Sequence, residues 1–238
     1  MINKQVIVLA GGFGTRLQSV LKGLPKPLAD INGTPFLKFL LLKWVSIGLN
    51  DFIFSLHYSS QEIIDFINKE VVQGVLKNCK VQFIVEPNPL GTGGAVSYAI
   101  EKADVLNSFF VANADTWIDF GLKEIDNIED NVIITVEVED TSRYGALKLN
   151  KNRIIDFKEK EKCTGKGYIN AGTYKLNKNI FNNWDKKPYS IEKDLFAKLI
   201  KEKKLFAYKV SSDFIDIGIP NDYELFCKFS KKYLIDSI

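Results

Sequence analysis

The chain holds a single histidine, His57, which argues against a Ser-His-Asp triad and against a histidine-built metal centre. Its three cysteines, Cys79, Cys163 and Cys227, fall at no zinc or iron–sulfur spacing and read as unpaired thiols in a reducing compartment. No apolar run approaches the length that spans a bilayer, and the amino terminus enters a core strand within a few residues, so the expected location is cytoplasmic, with no membrane partner. A net charge of +3 over 238 residues is too small to specify nucleic acid. Repeats and low-complexity segments are missing too. What remains is enough ordinary sequence for a sizeable core, in one large α/β domain or two small ones.

Against that plain background one stretch stands out. Residues 6–28 read VIVLAGGFGTRLQSVLKGLPKPL. The apolar run ending at Ala10 suits a buried strand, and Gly11, Gly12 and Gly14 then suit a turn whose main-chain N–H groups can approach an anion. Arg16 adds a fork-shaped cation matched to phosphate oxygens. Lys26, between Pro25 and Pro27, is held to a narrow region. Together they predict a polyphosphate site at the carboxyl end of a first strand. It is not a P-loop, which needs a Gly-Lys-[Ser/Thr], nor a dinucleotide fingerprint, whose third glycine is replaced by Leu17.

Further on, strands and helices alternate with short connections. Pro35 fits the first turn of a helix carrying Phe36, Leu37, Leu40, Leu41, Trp44 and Val45 at helical spacing. Residues 51–56 (DFIFSL) read as a strand. Ser59-Ser60-Gln61-Glu62 matches a capping box for a helix with an apolar stripe of Ile63, Ile64 and Ile67. Residues 81–85 form a third strand, leading into EPNPLGTGGA, whose Gly91, Gly93 and Gly94 are expected to leave an open surface beside the next helix. FFVA at 109–112 is a buried strand, with Asp115 just beyond it, where a carboxylate can hold Mg²⁺ against phosphate oxygens. From Val132 the texture turns to strands at 132–138, 144–149, 153–157 and 168–174, pairing as antiparallel or mixed partners. Ser190 begins another helix with Glu192 in its first turn. The last helix starts at Pro220 and runs to Leu234, with Tyr223, Leu225, Phe226 and Phe229 on its apolar face. The expected fold is therefore α/β, a Rossmann-like, mostly parallel (mixed) sheet flanked by helices, in a single domain. Residues 1–131 would be a nucleotide-binding half and 132–238 a sugar-phosphate half.

GGFGTRL followed by PKPL resembles the signature of sugar-1-phosphate nucleotidyltransferases, and the resemblance covers nearly the whole chain. It implies the nucleotide-diphospho-sugar transferase type of fold. It places a nucleoside triphosphate against Leu9, Ala10, Gly11, Gly12, Gly14, Thr15, Arg16 and Lys26, with Glu86, Gly91 and Thr92 beside the base and ribose. Arg16 and Lys26 would be the catalytic cations. Asp216, in Asp-Ile-Gly-Ile-Pro, would join Asp115 as the second Mg²⁺ ligand. Most members have Gly where this chain has Ala114, a departure of one methyl group. For the sugar phosphate the resemblance implies Asn113, Tyr144, Gly145, Asn170 and Gly172. It adds a Glu-Lys pair best matched by Glu159 and Lys160, although the repeating charges from Lys158 to Lys162 leave the register open by two.

The implied reaction is attack of the sugar 1-phosphate on the α-phosphorus of a nucleoside triphosphate, with loss of pyrophosphate. Ser19-Val20-Leu21 before the lysine loop, EPNPLGTGGA and FIDIGIPNDY resemble the members that guanylylate D-glycero-D-manno-heptose 1-phosphate. Those members make a GDP-heptose for bacterial capsule or surface-layer glycans. Alternatives are a hexose 1-phosphate, a phosphocholine-like acceptor, another triphosphate (CTP, UTP or dTTP), or a non-catalytic sugar-nucleotide-binding relative. Self-association into a homo-oligomer is left open.

Overall fold

The computed structural model of the chain describes residues 4–21, 23–119, 121–158 and 165–231. Apolar runs build its strands: β1 (Gln5–Leu9), β4 (Asp51–Leu56), β5 (Lys80–Val85), β6 (Ser108–Asn113) and β8 (Asn131–Val138). Between the first two lie the two-residue strands β2 (Asp30–Ile31) and β3 (Thr34–Pro35), and β7 (Thr116–Ile118) follows β6. The later strands are β9 (Ala146–Asn150), β10 (Arg153–Lys158), β11 (Gly167–Asn177), β12 (Leu205–Val210) and β13 (Phe214–Asp216). Helices are α1 (Gln18–Leu21), α2 (Phe36–Ser46), α3 (Ser60–Gln73), α4 (Gly91–Lys102), α5 (Leu122–Ile125), α6 (Ala197–Lys201) and α7 (Pro220–Phe229). A π-helical turn, Ile191–Phe196, leads into α6.

One nine-stranded sheet runs β5-β4-β1-β6-β11-β8-β12-β10-β9. The stretch from β5 to β6 is parallel, as is β8 with β12. β11 is antiparallel to both β6 and β8, so strand direction switches beside β6. Successive residues of a strand face opposite sides of a sheet. Val6 and Val8, Phe52 and Phe54, Phe110 and Ala112 accordingly enter one core, with Phe36, Leu40, Trp44, Ile63, Ile67 and Phe226 from α2, α3 and α7. Ile7, Ile53, Phe109 and Val111 enter the other, with Val96 and Ala99 of α4 and Ile191, Leu195 and Leu199. Helices thus cover both faces. Phe226 alone packs edge-on to Phe36 at 4.7 Å and against Trp117 at 5.5 Å, and truncating such a ring costs about 3–5 kcal/mol.

Several local expectations fail for identifiable reasons. The capping box does not form: Ser59 sits in the left-handed region (φ 50°, ψ 40°) and its side chain caps nothing. An N-cap oxygen reaches the first turn only from an extended backbone, so burial of Ile63 and Ile67 must hold α3 instead. Pro35 precedes α2 rather than opening it, because it pairs with Asp30 across β2 and β3. Tyr144 and Gly145 form a turn before β9, with Gly145 at φ 81°. Leu225 is 51% exposed, on the outer side of α7, while Phe226 carries the packing. α7 ends at Phe229 with Ser230 at its C-cap, short of the expected Leu234, which itself lies outside the described residues. Among the described residues, no helix is long and apolar enough to cross a membrane.

Candidate active site

The first loop leaves β1 at Leu9, with Ala10 buried and its N–H donated to the Ser55 carbonyl of β4 at 3.0 Å. Gly11 passes so close to the end of β4 that a Cβ there would meet the His57 backbone nitrogen at 3.0 Å. Gly14 is left-handed at φ 60° and lies against the Lys26 side chain. A 3₁₀ turn, Thr15–Leu17, follows, pinned by buried Leu17, and leaves Thr15 and Arg16 exposed. The second 3₁₀ turn, Lys26–Leu28, is set by extended Pro25 and aims Lys26 inward. Its Nζ donates to Asp115 Oδ2 at 2.5 Å.

Asp115 lies between β6 and β7, and the β7–β13 ribbon sets Thr116 opposite Asp216. Residues a hundred apart in sequence are thereby neighbours. Burial pushes the Asp216 carboxyl above its ordinary range, and the charge of Asp115 pushes the same way. Lys26, the Gly218 N–H at 2.8 Å and Arg16 oppose that shift. Arg16 Nη2 lies 3.4 Å from where a Cβ on Gly218 would stand, so the loop arginine reaches this corner too. Two carboxylates and two cations, drawn from three separate segments, therefore meet. No group of three or more His, Cys, Asp or Glu gathers among the described residues. A carboxylate pair still fits Mg²⁺, which usually takes one or two carboxylates and completes its shell with phosphate and water.

A cavity of about 210 Å³ opens on one side, walled by Leu9, Gly11, Gly12, Glu86, Gly91 and Thr92, all expected from the sequence. Phe13, Ser55 and His57 also line it, and sequence reasoning missed them. Phe13, 48% exposed yet 5.8 Å edge-on to His57, was the one available signal: a bulky apolar residue inside a glycine loop. Glu86 is buried, and its oxygens accept from Ser55 Oγ (3.2 Å) and the Leu90 N–H (3.0 Å). Burial raises its carboxyl above the usual value, against the pull of those donors.

The glycines after Leu90 do not form an open surface. A Cβ on Gly93 would stand 2.2 Å from the Tyr189 ring, and one on Gly91, itself at φ 70°, would stand 2.6 Å from the Tyr189 carbonyl. That carbonyl accepts the Gly93 N–H at 3.0 Å, and Tyr189 Oη meets Ser97 Oγ at 2.7 Å. The small residues make room for another segment of the chain, and only Gly91 also faces the cavity. Tyr189 was invisible as a partner because nothing local marks it.

On the other side lies a cavity of about 460 Å³, lined by Asn113, Thr116, Tyr144, Asn170, Gly172 and Asp216, and also by Phe157, Ser190, Glu192, Lys193 and Phe214. Gly172 is at φ 70°, and a Cβ there would collide with the Asn113 amide at 2.6 Å. Asn170 shapes the same turn, accepting from Gly172 N–H at 2.9 Å and donating to Tyr174 Oη at 2.9 Å. Gly145 is buried beneath, its N–H on the Thr141 carbonyl, and does not line the cavity. Arg143 stacks over Tyr144 (5.0 Å) and grips Asp222 with both guanidinium nitrogens. Glu159 and Lys160 lie outside the described residues.

The nucleotidyl transferase family model matches residues 5–232. The D-glycero-alpha-D-manno-heptose 1-phosphate guanylyltransferase of Campylobacter jejuni is 34% identical over 224 residues, 92% of this chain and 96% of that one. The crystal structure of HddC from Yersinia pseudotuberculosis complexed with GMP-PN superposes with a TM-score of 0.82 at 38% identity, covering 94% of this chain and 98% of the other. Mannose-1-phosphate guanyltransferase 2 of Candida glabrata is 32% identical over 91% of this chain, which spans 62% of that enzyme.

Proposed function

The chain belongs to the nucleotidyl transferase family, and from that premise we propose that GTP is its nucleotide and D-glycero-D-manno-heptose 1-phosphate its acceptor. The observation that carries the pair is the match to the Campylobacter heptose enzyme, which spans 92% of this chain and 96% of that one. The buried Glu86 carboxylate on the smaller cavity supports the base. Each of its oxygens keeps a lone pair free of Ser55 and Leu90, and guanine alone among the common bases offers an adjacent N1–H and N2–H₂ to such a pair.

In this reading the smaller cavity takes the base, the glycine loop takes the triphosphate, and the larger cavity takes the sugar. The anomeric phosphate attacks the α-phosphorus in line, and pyrophosphate leaves. The nucleophile is already anionic, so no general base is required. Repulsion between two polyanions and the charge growing on the transferred group are what the site must offset. Arg16 and Lys26 do so from fixed positions, and the two cavities supply orientation. Mg²⁺, where Asp115 and Asp216 hold it, would supply further positive charge to the phosphates. The product would be a GDP-heptose for a bacterial surface glycan.

GTP with mannose 1-phosphate is the second reading, favoured by the Candida relative. Pyrophosphate release for the four common triphosphates against heptose, mannose and glucose 1-phosphates decides between them. We expect the highest kcat/KM for GTP with the heptose. A preference for CTP, UTP or dTTP above about tenfold, roughly 1.4 kcal/mol in transition-state binding, would refute guanylyl transfer.

A further inference from the structure

We infer that Glu192 reads the acceptor: its carboxylate takes a hydrogen bond from one hydroxyl of the sugar bound in the larger cavity. The inference rests on that cavity being the sugar 1-phosphate site. Glu192 follows Ser190 at the start of the π-helical turn, and both residues line the cavity. One oxygen, Oε2, accepts from Thr92 Oγ and Ser190 Oγ, each at 3.1 Å. The other, Oε1, accepts among the described residues only a long bond of 3.4 Å from Tyr174 Oη. An O–H···O bond is usually near 2.7–2.8 Å and an ionised carboxylate offers about four acceptor positions. Glu192 lines the cavity and Oε1 has acceptor capacity to spare, and sugar hydroxyls are the donors that match it.

Helix capping does not explain the residue. Ser190 Oγ already accepts the Lys193 N–H, and Asp194 accepts the Ser190 N–H. Instead, Glu192 sits in the middle of a chain of contacts from Asn170 through Tyr174 to Glu192 and Thr92. Thr92 also walls the smaller cavity. Tyr174 is wholly buried and its phenol is held protonated by burial and by the Glu192 charge, so it donates to Oε1. The carboxylate is thus fixed from three sides before any sugar arrives. A site built to pair a hydroxyl discriminates strongly against a ligand that lacks it.

The test compares the wild type with Glu192→Gln, using the best acceptor from the triphosphate and sugar panel together with its single-deoxy analogues. For the parent sugar we expect the KM to rise roughly tenfold or more while the KM for GTP moves less than about twofold. One deoxy analogue, missing the hydroxyl that Glu192 holds, should be equally poor with both proteins, and the others should fall as the parent does. Equal losses across every analogue, or a fall in kcat at unchanged sugar KM, would overturn the inference alone. If Glu192→Gln does not fold, Glu192→Asp carries the same comparison: the same single analogue must be insensitive to moving the carboxylate. Wild-type protein that transfers to no sugar 1-phosphate overturns both this inference and the reading beneath it.

Discussion

Lys26 and Asp115 face each other at 2.5 Å, with side chains 13% and 32% exposed. Replacing Lys26 with Ala leaves Asp115 beside Asp216, whose carboxyl is already pushed up by burial and by its neighbour. Stripping one partner from a fully buried pair costs about 3–5 kcal/mol, whereas exposed pairs contribute about 0–1 kcal/mol. This pair lies between, so the variant should lose about 1–2 kcal/mol without metal. For a domain of this size that is a fall in Tm of roughly 2–8 °C. Mg²⁺ should then restore stability, because it replaces the lost cation between the two carboxylates. A ligand at a hundred times its Kd adds about 2.7 kcal/mol. The wild type should gain less from the same Mg²⁺, since Lys26 competes for Asp115. Thermal and urea melts of both proteins, with EDTA and across a Mg²⁺ series, measure these changes. A variant as stable as the wild type in EDTA and no more responsive to Mg²⁺ would refute the account of this corner.

Asp115→Asn and Asp216→Asn should each lower turnover at least roughly hundredfold, read by pyrophosphate release at saturating Mg²⁺; near-normal activity in either would remove the metal assignment. Gly93→Ala forces a methyl into the Tyr189 ring and should cost about 1–3 kcal/mol in a thermal melt, with unchanged stability showing that this packing is not made. Glu86 has its proton affinity raised in the folded state by burial, so the native protein binds that proton more tightly than the unfolded chain does. Its contribution is full below its ordinary value near 4.5 and is lost as pH rises through the raised folded value. Glu86→Gln should abolish this local loss of stability above pH 4.5, and denaturation curves that stay parallel to wild type across the window would contradict it.

The strands were legible because each carries a compact apolar run: DFIFSL is β4 residue for residue, and FFVA lies inside β6. Loop chemistry was legible where one residue type has one use, as at Gly14, whose positive φ admits Lys26. It was misread where one residue type has two. Gly93 and Gly94 read as an opening for a ligand, yet they admit residues 187–189, some ninety positions away. The Ser59 pattern was right and its backbone was not, since φ is decided by how the chain leaves β4. Arg143 and Asp222 pair across 79 residues, and no local pattern records such a partnership. Glu192 is the first-turn acid that its place after Ser190 suggests, but its contacts with Thr92 and Tyr174 come from other elements and left no local trace.

The switch of direction beside β6 also bears on how the protein is made. β6 has β1 on one side and β11 on the other, and β11 ends at Asn177. During synthesis the parallel strands β5, β4, β1 and β6 are complete long before their next neighbour leaves the ribosome. In that interval the β6 edge, with Phe109, Phe110 and Val111, is an unpaired template for another nascent chain. A fragment ending near residue 131 would carry that edge permanently, and would lose Ile133, Tyr174 and Leu176 from one core and Ile134, Ala171 and Phe226 from the other. Aggregation, rather than a separable nucleotide-binding piece, is the outcome the sheet order dictates for such a truncation.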